Sequence, residues 1–121
     1  MPKTVLVVED DENSRILITE LLRAKSLEIL QANDGKEALE LARQHVPDLI
    51  IMDIQLPEVS GLEVTKWIKE DTDIKSIPIV AVTAFAMKGD EEKIREGGCE
   101  AYIAKPISVS QFIDTVRRFV N

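Results

Sequence analysis

The sequence predicts an α/β fold in which one parallel sheet of five strands is doubly wound by five helices. Two observations carry this. Short runs rich in β-branched and aliphatic residues alternate along the whole chain with longer amphipathic stretches. Three of those runs are nearly continuous in apolar residues, the pattern of strands covered on both faces. A strand-helix-strand alternation of this kind joins parallel strands by right-handed crossovers.

The elements follow in order. Thr4-Val5-Leu6-Val7-Val8 is the first strand, and Asn13 to Lys25 the first helix, with Leu17, Ile18, Leu21 and Leu22 on one side. Leu27 to Gln31 is a weaker strand. Gly35 to His45 is a helix carrying Ala38, Leu39 and Ala42, opened by a loose capping pattern, Asp34-x-x-Glu37. Pro47 stops any helix just before the third strand, Asp48 to Met52. Ser60-x-x-Glu63 opens the helix Gly61 to Glu70, whose apolar stripe is Leu62, Val64, Trp67 and Ile68, so Trp67 is expected in the core. Pro78 precedes the fourth strand, Ile79 to Thr83. A short polar helix from about Met87 ends at Gly97-Gly98, where glycine accepts a left-handed backbone. Ala101 to Ala104 is the fifth strand, and Ser108 to Val120 the last helix, with Phe112, Ile113, Val116, Phe119 and Val120 inward. Phe85 and Met87, after the fourth strand, are either packed or partner-facing.

These five units use nearly all of the 121 residues, which predicts one domain over 1–121 with no output domain. Fifteen basic and 22 acidic side chains give a net charge of −7, which argues against nucleic acid as the main partner. The apolar start at Thr4 is too short for a signal-peptide core, and no run approaches the ~20 apolar residues of a membrane span. Cys99 is the sole cysteine, expected as a small buried hydrophobe. A cytoplasmic protein is the expectation. His45, the sole histidine, falls at a helix end and is read as a surface residue.

In an open parallel sheet, chemistry sits outside the carboxyl ends of the strands at the topological switch point. Those ends carry Glu9, Asp10 and Asp11 after the first strand, Asp53 after the third, Thr83 closing the fourth, and Lys105-Pro106 after the fifth. If the strand order is 2-1-3-4-5, Glu9, Asp10 and Asp53 meet in one crevice. Three carboxylates brought together repel one another and call for a cation. Oxygen ligands with room for water suit Mg²⁺ better than Ca²⁺. Lys105 and Thr83 bring the positive charge and the hydroxyl that a phosphoryl group would use.

These residues carry a resemblance. Val7-Val8-Glu9-Asp10-Asp11, the run Asp48 to Pro57 with Gly61, Val82-Thr83-Ala84 and Lys105-Pro106 resemble the response-regulator receiver domain over essentially the whole chain. The segments Gln55 to Trp67 and Gly97 to Ile103 look more narrowly like DivK-type single-domain regulators of bacterial cell division. The resemblance implies a flavodoxin-like (βα)5 fold with order 2-1-3-4-5. It implies Asp53 as phospho-acceptor, and Glu9, Asp10, Asp53 and the backbone carbonyl of Gln55 around Mg²⁺, with Mn²⁺ as a substitute. Thr83 and Lys105 would hold the phosphoryl group, Thr83 and Tyr102 would switch, and Pro106 would follow a cis peptide bond. A histidine kinase or histidine phosphotransferase would be the donor, and a protein target would dock on the surface of helix four, strand five and helix five. A monomer, with weak dimerisation open, is expected. The pair Glu9-Asp10 departs mildly from the family's Asp-Asp.

Three other readings are weighed. A Mg²⁺-dependent phosphatase working through an aspartyl phosphate would need an acid at Gln55. A flavodoxin-like cofactor binder would need hydroxyls and glycines where Glu9-Asp10-Asp11 stands. A phosphorylation-independent docking domain would not need the acceptor, acid, threonine and lysine together.

Overall fold

β-Branched residues favour extended backbone because their side chains pack well on a pleated surface, and five such segments pair in parallel. They are β1 (Thr4–Val8), β2 (Glu28–Ala32), β3 (Leu49–Asp53), β4 (Ile79–Thr83) and β5 (Ala101–Ala104), in the order β2-β1-β3-β4-β5. The amphipathic segments form α1 (Glu12–Arg23), α2 (Gly35–His45), α3 (Gly61–Glu70), α4 (Lys88–Glu96) and α5 (Val109–Val120). The structure, a computed structural model, describes residues 3–84 and 88–120. Phe85 and Met87 lie outside the described residues. No helix among the described residues is long and apolar enough to cross a membrane.

Successive strand residues point to opposite faces, so the apolar runs feed two cores. Leu6, Val8, Ile50, Met52, Ile79 and Ala81 pack with Ala38 and Ala42 of α2, Val64 and Ile68 of α3, and Ile94 of α4. Val5, Val7, Leu49, Ile51, Val80, Val82 and Ile103 pack with Ile18 and Leu22 of α1 and Phe112 and Val116 of α5. This double cover is why the runs are continuous rather than alternating.

Several expectations shift. The second and third strands each lie one residue later, at Glu28–Ala32 and Leu49–Asp53. Asp53 therefore ends β3 rather than following it, held by pairing with Val82 and by the bond from Ile54 N–H to the Val82 carbonyl, 3.0–3.1 Å being ordinary and 3.1 Å observed. Leu17 is not on the inner side of α1: it and Ile16 are exposed, and Thr19 takes the inward place beside Ile18 and Leu22. Trp67 is not a core residue. The buried stripe of α3 is Gly61, Val64, Thr65 and Ile68, and Trp67, one step of about 100° from Ile68, lines a surface groove with Leu39 and Arg43. Cys99 is buried and His45 is exposed at the end of α2.

Candidate functional site

The parallel register aligns the carboxyl ends of four strands. Val8 pairs with Met52, Asp53 with Val82, and Thr83 with Ala104. Glu9, Asp53, Thr83 and Lys105 consequently sit side by side although they come from distant parts of the chain. Glu9, Asp53 and Thr83 are almost fully buried, while Asp10 is exposed at the rim. Glu9, Asp10 and Asp53 each offer a carboxylate oxygen, and these lie within 4.8 Å of one another.

One lysine serves both buried acids. Lys105 Nζ donates to Glu9 Oε1 at 3.1 Å and stands 3.5 Å from Asp53 Oδ2. Glu9 Oε2 is buried with no hydrogen-bond partner among the described residues. Burial, and then the neighbouring Asp53 carboxylate, push the Glu9 carboxyl up to about 8, with Lys105 pulling the other way. Burial works against the charge on Lys105, but the hydrogen bond it donates to Glu9 and the charges of both acids outweigh it and raise its pKa. At the rim, Asp11 caps α1 by accepting from the backbone N–H of Ser14 at Oδ2, 2.9 Å away, and that bond holds the Asp11 carboxyl below its usual range.

An under-compensated group of carboxylates with an orphaned buried oxygen fits a hard divalent cation such as Mg²⁺ or Mn²⁺, which takes oxygen donors and keeps part of its water. Glu9, Asp10 and Asp53 are the residues that could hold it.

The loop after β3 is shaped to hold Asp53. The N–H of Gln55 donates to Asp53 Oδ1 at 2.9 Å, and its side-chain oxygen accepts from Ala84 N–H at 3.3 Å, tying this loop to the end of β4. α3 starts directly beneath. Gly61 N–H bonds the Ile54 carbonyl at 2.9 Å, and a Cβ on Gly61 would lie 2.2 Å from the Asp53 carbonyl oxygen. Ser60 caps α3 through Leu62 N–H.

Beyond Thr83, the Thr83 carbonyl accepts from Lys105 N–H at 2.8 Å, and the Lys105-Pro106 peptide is cis. Tyr102 is half-buried. Its hydroxyl donates to Glu91 Oε2 at 3.2 Å, and the Arg95 guanidinium lies 5.9 Å from its ring centroid, so it is fastened to α4.

Sequence reasoning passed over Arg15. Its Nη1 donates to the Glu9 carbonyl at 3.0 Å and to Asn33 Oδ1. Helical side chains lean toward the helix N-terminus, so an arginine four residues after the N-cap Asp11 was a usable signal for a contact with the β1–α1 loop.

Residues 5–117 match the response regulator receiver domain. The chain belongs to that family. Receiver domains take phosphoryl groups from histidine kinases or phosphotransferases and bind Mg²⁺ through an acidic cluster of the kind formed by Glu9, Asp10 and Asp53. Among relatives of this receiver, the polar-differentiation response regulator DivK of Brucella anthropi is 61% identical over 121 residues, covering 100% of this chain and 98% of that protein. The receiver domain of the sensor histidine kinase PA1611 from Pseudomonas aeruginosa, solved with a magnesium ion coordinated in its active-site cleft, superposes with a TM-score of 0.91 at 29% identity, covering 99% of this chain and 98% of that one. The receiver domain of Ssk1 from Saccharomyces cerevisiae, crystallised with the histidine phosphotransfer protein Ypd1, gives 0.89 at 27% identity, covering 98% and 89%.

Proposed function

We propose that this receiver is a single-domain response regulator of a two-component phosphorelay, serving bacterial cell-division control, which accepts a phosphoryl group from a phosphohistidine onto Asp53. The observation that supports this most is the buried Asp53 carboxylate, held by Gln55 N–H on one oxygen and faced by Lys105 Nζ on the other, beside the under-compensated pair Glu9 and Asp10.

A carboxylate oxygen of Asp53 attacks phosphorus in line. The O–P bond forms as the P–N bond to the donor histidine breaks, and the electron pair stays on the imidazole nitrogen. Lys105 offsets charge on the phosphoryl oxygens. Glu9, Asp10, Asp53 and the Gln55 carbonyl would hold Mg²⁺, which when bound would supply further charge neutralisation. The acyl phosphate adds about one negative charge and three acceptor oxygens. The Thr83 hydroxyl then donates to one of them and draws the end of β4 toward Asp53. That movement reaches Tyr102 and its α4 partners Glu91 and Arg95, and so changes the surface of α4, β5 and α5 on which a target protein docks. The exposed Ile16 and Leu17 on α1 give a phosphodonor an apolar surface. Gln55 has no proton to give a leaving group as a carboxylic acid would, which weighs against a phosphatase.

The test is incubation with Mg²⁺ and acetyl phosphate followed by intact mass. One phosphoryl adduct is expected in the native protein and none in Asp53→Asn. An adduct that persists in Asp53→Asn, or none in either protein, overturns the proposal.

A further inference from the structure

We propose that Arg15 is a positioning residue for the acidic rim: by tying the Glu9 carbonyl to Asn33 of the β2–α2 loop, it fixes where Glu9 and Asp10 present their carboxylates to a divalent cation. This rests on reading Glu9, Asp10 and Asp53 as the cation site.

Glu9 is the last residue held by the β1–β2 ladder, its N–H bonding the Ala32 carbonyl at 3.0 Å. Two residues on, Asp11 caps α1. The short stretch between rung and cap carries two of the three converging carboxylates. Like charges in one crevice push apart, and among the described residues no ladder bond holds this stretch past the Glu9 N–H. Arg15 Nη1 closes the gap with its bond to the Glu9 carbonyl at 3.0 Å, and with its second N–H reaches Asn33 Oδ1.

Asn33 is itself anchored. Its N–H donates to Glu37 Oε1 at 2.7 Å, and Glu37 N–H donates to Asp34 Oδ1 at 2.8 Å, so the start of α2 forms a firm abutment. The clamp therefore runs from α2 through Asn33 and Arg15 to the loop that bears Asp10. Partners that orient a metal ligand in this indirect way typically cost about 10-fold or more in metal affinity when lost.

The sign of the effect separates this role from plain electrostatics. Arg15 puts a positive charge close to the rim, where it also acts on Asp11. Deleting that charge would by Coulomb's law tighten the binding of a cation. Loss of a clamp loosens it.

The experiment is calorimetric titration with Mg²⁺ of the native protein, Arg15→Gln, Asn33→Ala, the double variant and Asp10→Asn, with thermal melts in metal-free buffer. Arg15→Gln is expected to weaken Mg²⁺ binding about 10-fold. Asn33→Ala, at an exposed position, is expected to weaken it in the same direction, and the double variant to lose no more than Arg15→Gln, because both remove one clamp. Unchanged or tighter binding in Arg15→Gln overturns the proposal, as do losses that multiply in the double variant. If Arg15→Gln melts below the working temperature, unchanged binding in Asn33→Ala overturns it. Asp10→Asn separates the two readings. Weak binding there with native affinity in Arg15→Gln sinks the clamp and spares the cation site. Native affinity in Asp10→Asn sinks both.

Discussion

The two ends of the sheet each pair a lysine with a carboxylate, and they are built to opposite specifications. At the amino end, Lys69 Nζ donates to Glu100 Oε1 at 2.6 Å, to the Ile77 carbonyl at 2.8 Å and to the Lys75 carbonyl at 3.2 Å. Glu100 Oε2 accepts from Ile79 N–H at 2.5 Å. All three ammonium hydrogens and both carboxylate oxygens are used, and the result staples α3 and the segment before β4 to the start of β5. At the carboxyl end, Lys105 is shared between Glu9 and Asp53, and Glu9 Oε2 has no partner among the described residues. The same two residue types make a staple where their hydrogen bonds are complete and a binding site where they are left short. Unmet charge is costly to fold, and on the function proposed above it is what the carboxyl end offers a divalent cation.

The severest way to break the contrast is at Gly61. A methyl group there collides with the Asp53 carbonyl oxygen, so Gly61→Ala is expected to cost about 3 kcal/mol in urea unfolding and to displace Asp53 enough to slow phosphoryl uptake. A stability unchanged from native would show that the close approach of α3 to β3 is dispensable.

At the staple, Lys69→Met leaves the Ile77 carbonyl and Glu100 without their shared donor. A loss of about 2 kcal/mol is expected, with Mg²⁺ affinity at the far end of the sheet unaltered. Unfolding curves and metal titration measure the two independently.

The third change runs the other way. Asp53→Asn keeps the acceptor oxygen for Gln55 N–H and removes one of the crowded charges. The metal-free variant is expected to gain about 1 kcal/mol, as residues held for function commonly do when replaced. A destabilised Asp53→Asn would mean that Lys105 already compensates the pair in full.

The smallest effect belongs to Cys99, next to the staple. Burial pushes its thiol up to about 11, opposed by the hydrogen bond with Thr65. The folded state therefore holds the proton more tightly than the unfolded chain. The contribution to stability is complete below the ordinary thiol range near 9 and is lost as pH rises toward 11. Native protein at pH 8 should react with a thiol reagent only at the rate of global unfolding, and Cys99→Ser should flatten the alkaline arm of the stability curve.

Much of this was legible in the residues. The alternation of apolar runs and amphipathic stretches gives ten elements because both periods are local properties of the chain. The double burial of β1, β3 and β4 shows in their unbroken apolar runs. Glu9, Asp10, Asp53, Thr83 and Lys105 stand at strand ends, and the general rule for open parallel sheets points to them. Leu17 and Trp67 were misplaced for a related reason. Helical spacing defines a stripe about 100° wide or more, and which edge of it meets the sheet depends on how the helix is docked.

What the sequence determined by itself, then, is the order of elements, the two-faced core and the set of residues at the sheet's carboxyl end. What the tertiary structure decided is how their charges are settled. Glu9 and Lys105 are 96 residues apart, Lys69 and Glu100 are 31 apart, and Arg15 and Asn33 are 18 apart. Local pattern cannot count hydrogen bonds between such partners, because each depends on strand register and crossover path. Whether a lysine and a carboxylate become a closed staple or an open site is fixed by that three-dimensional count of donors against acceptors.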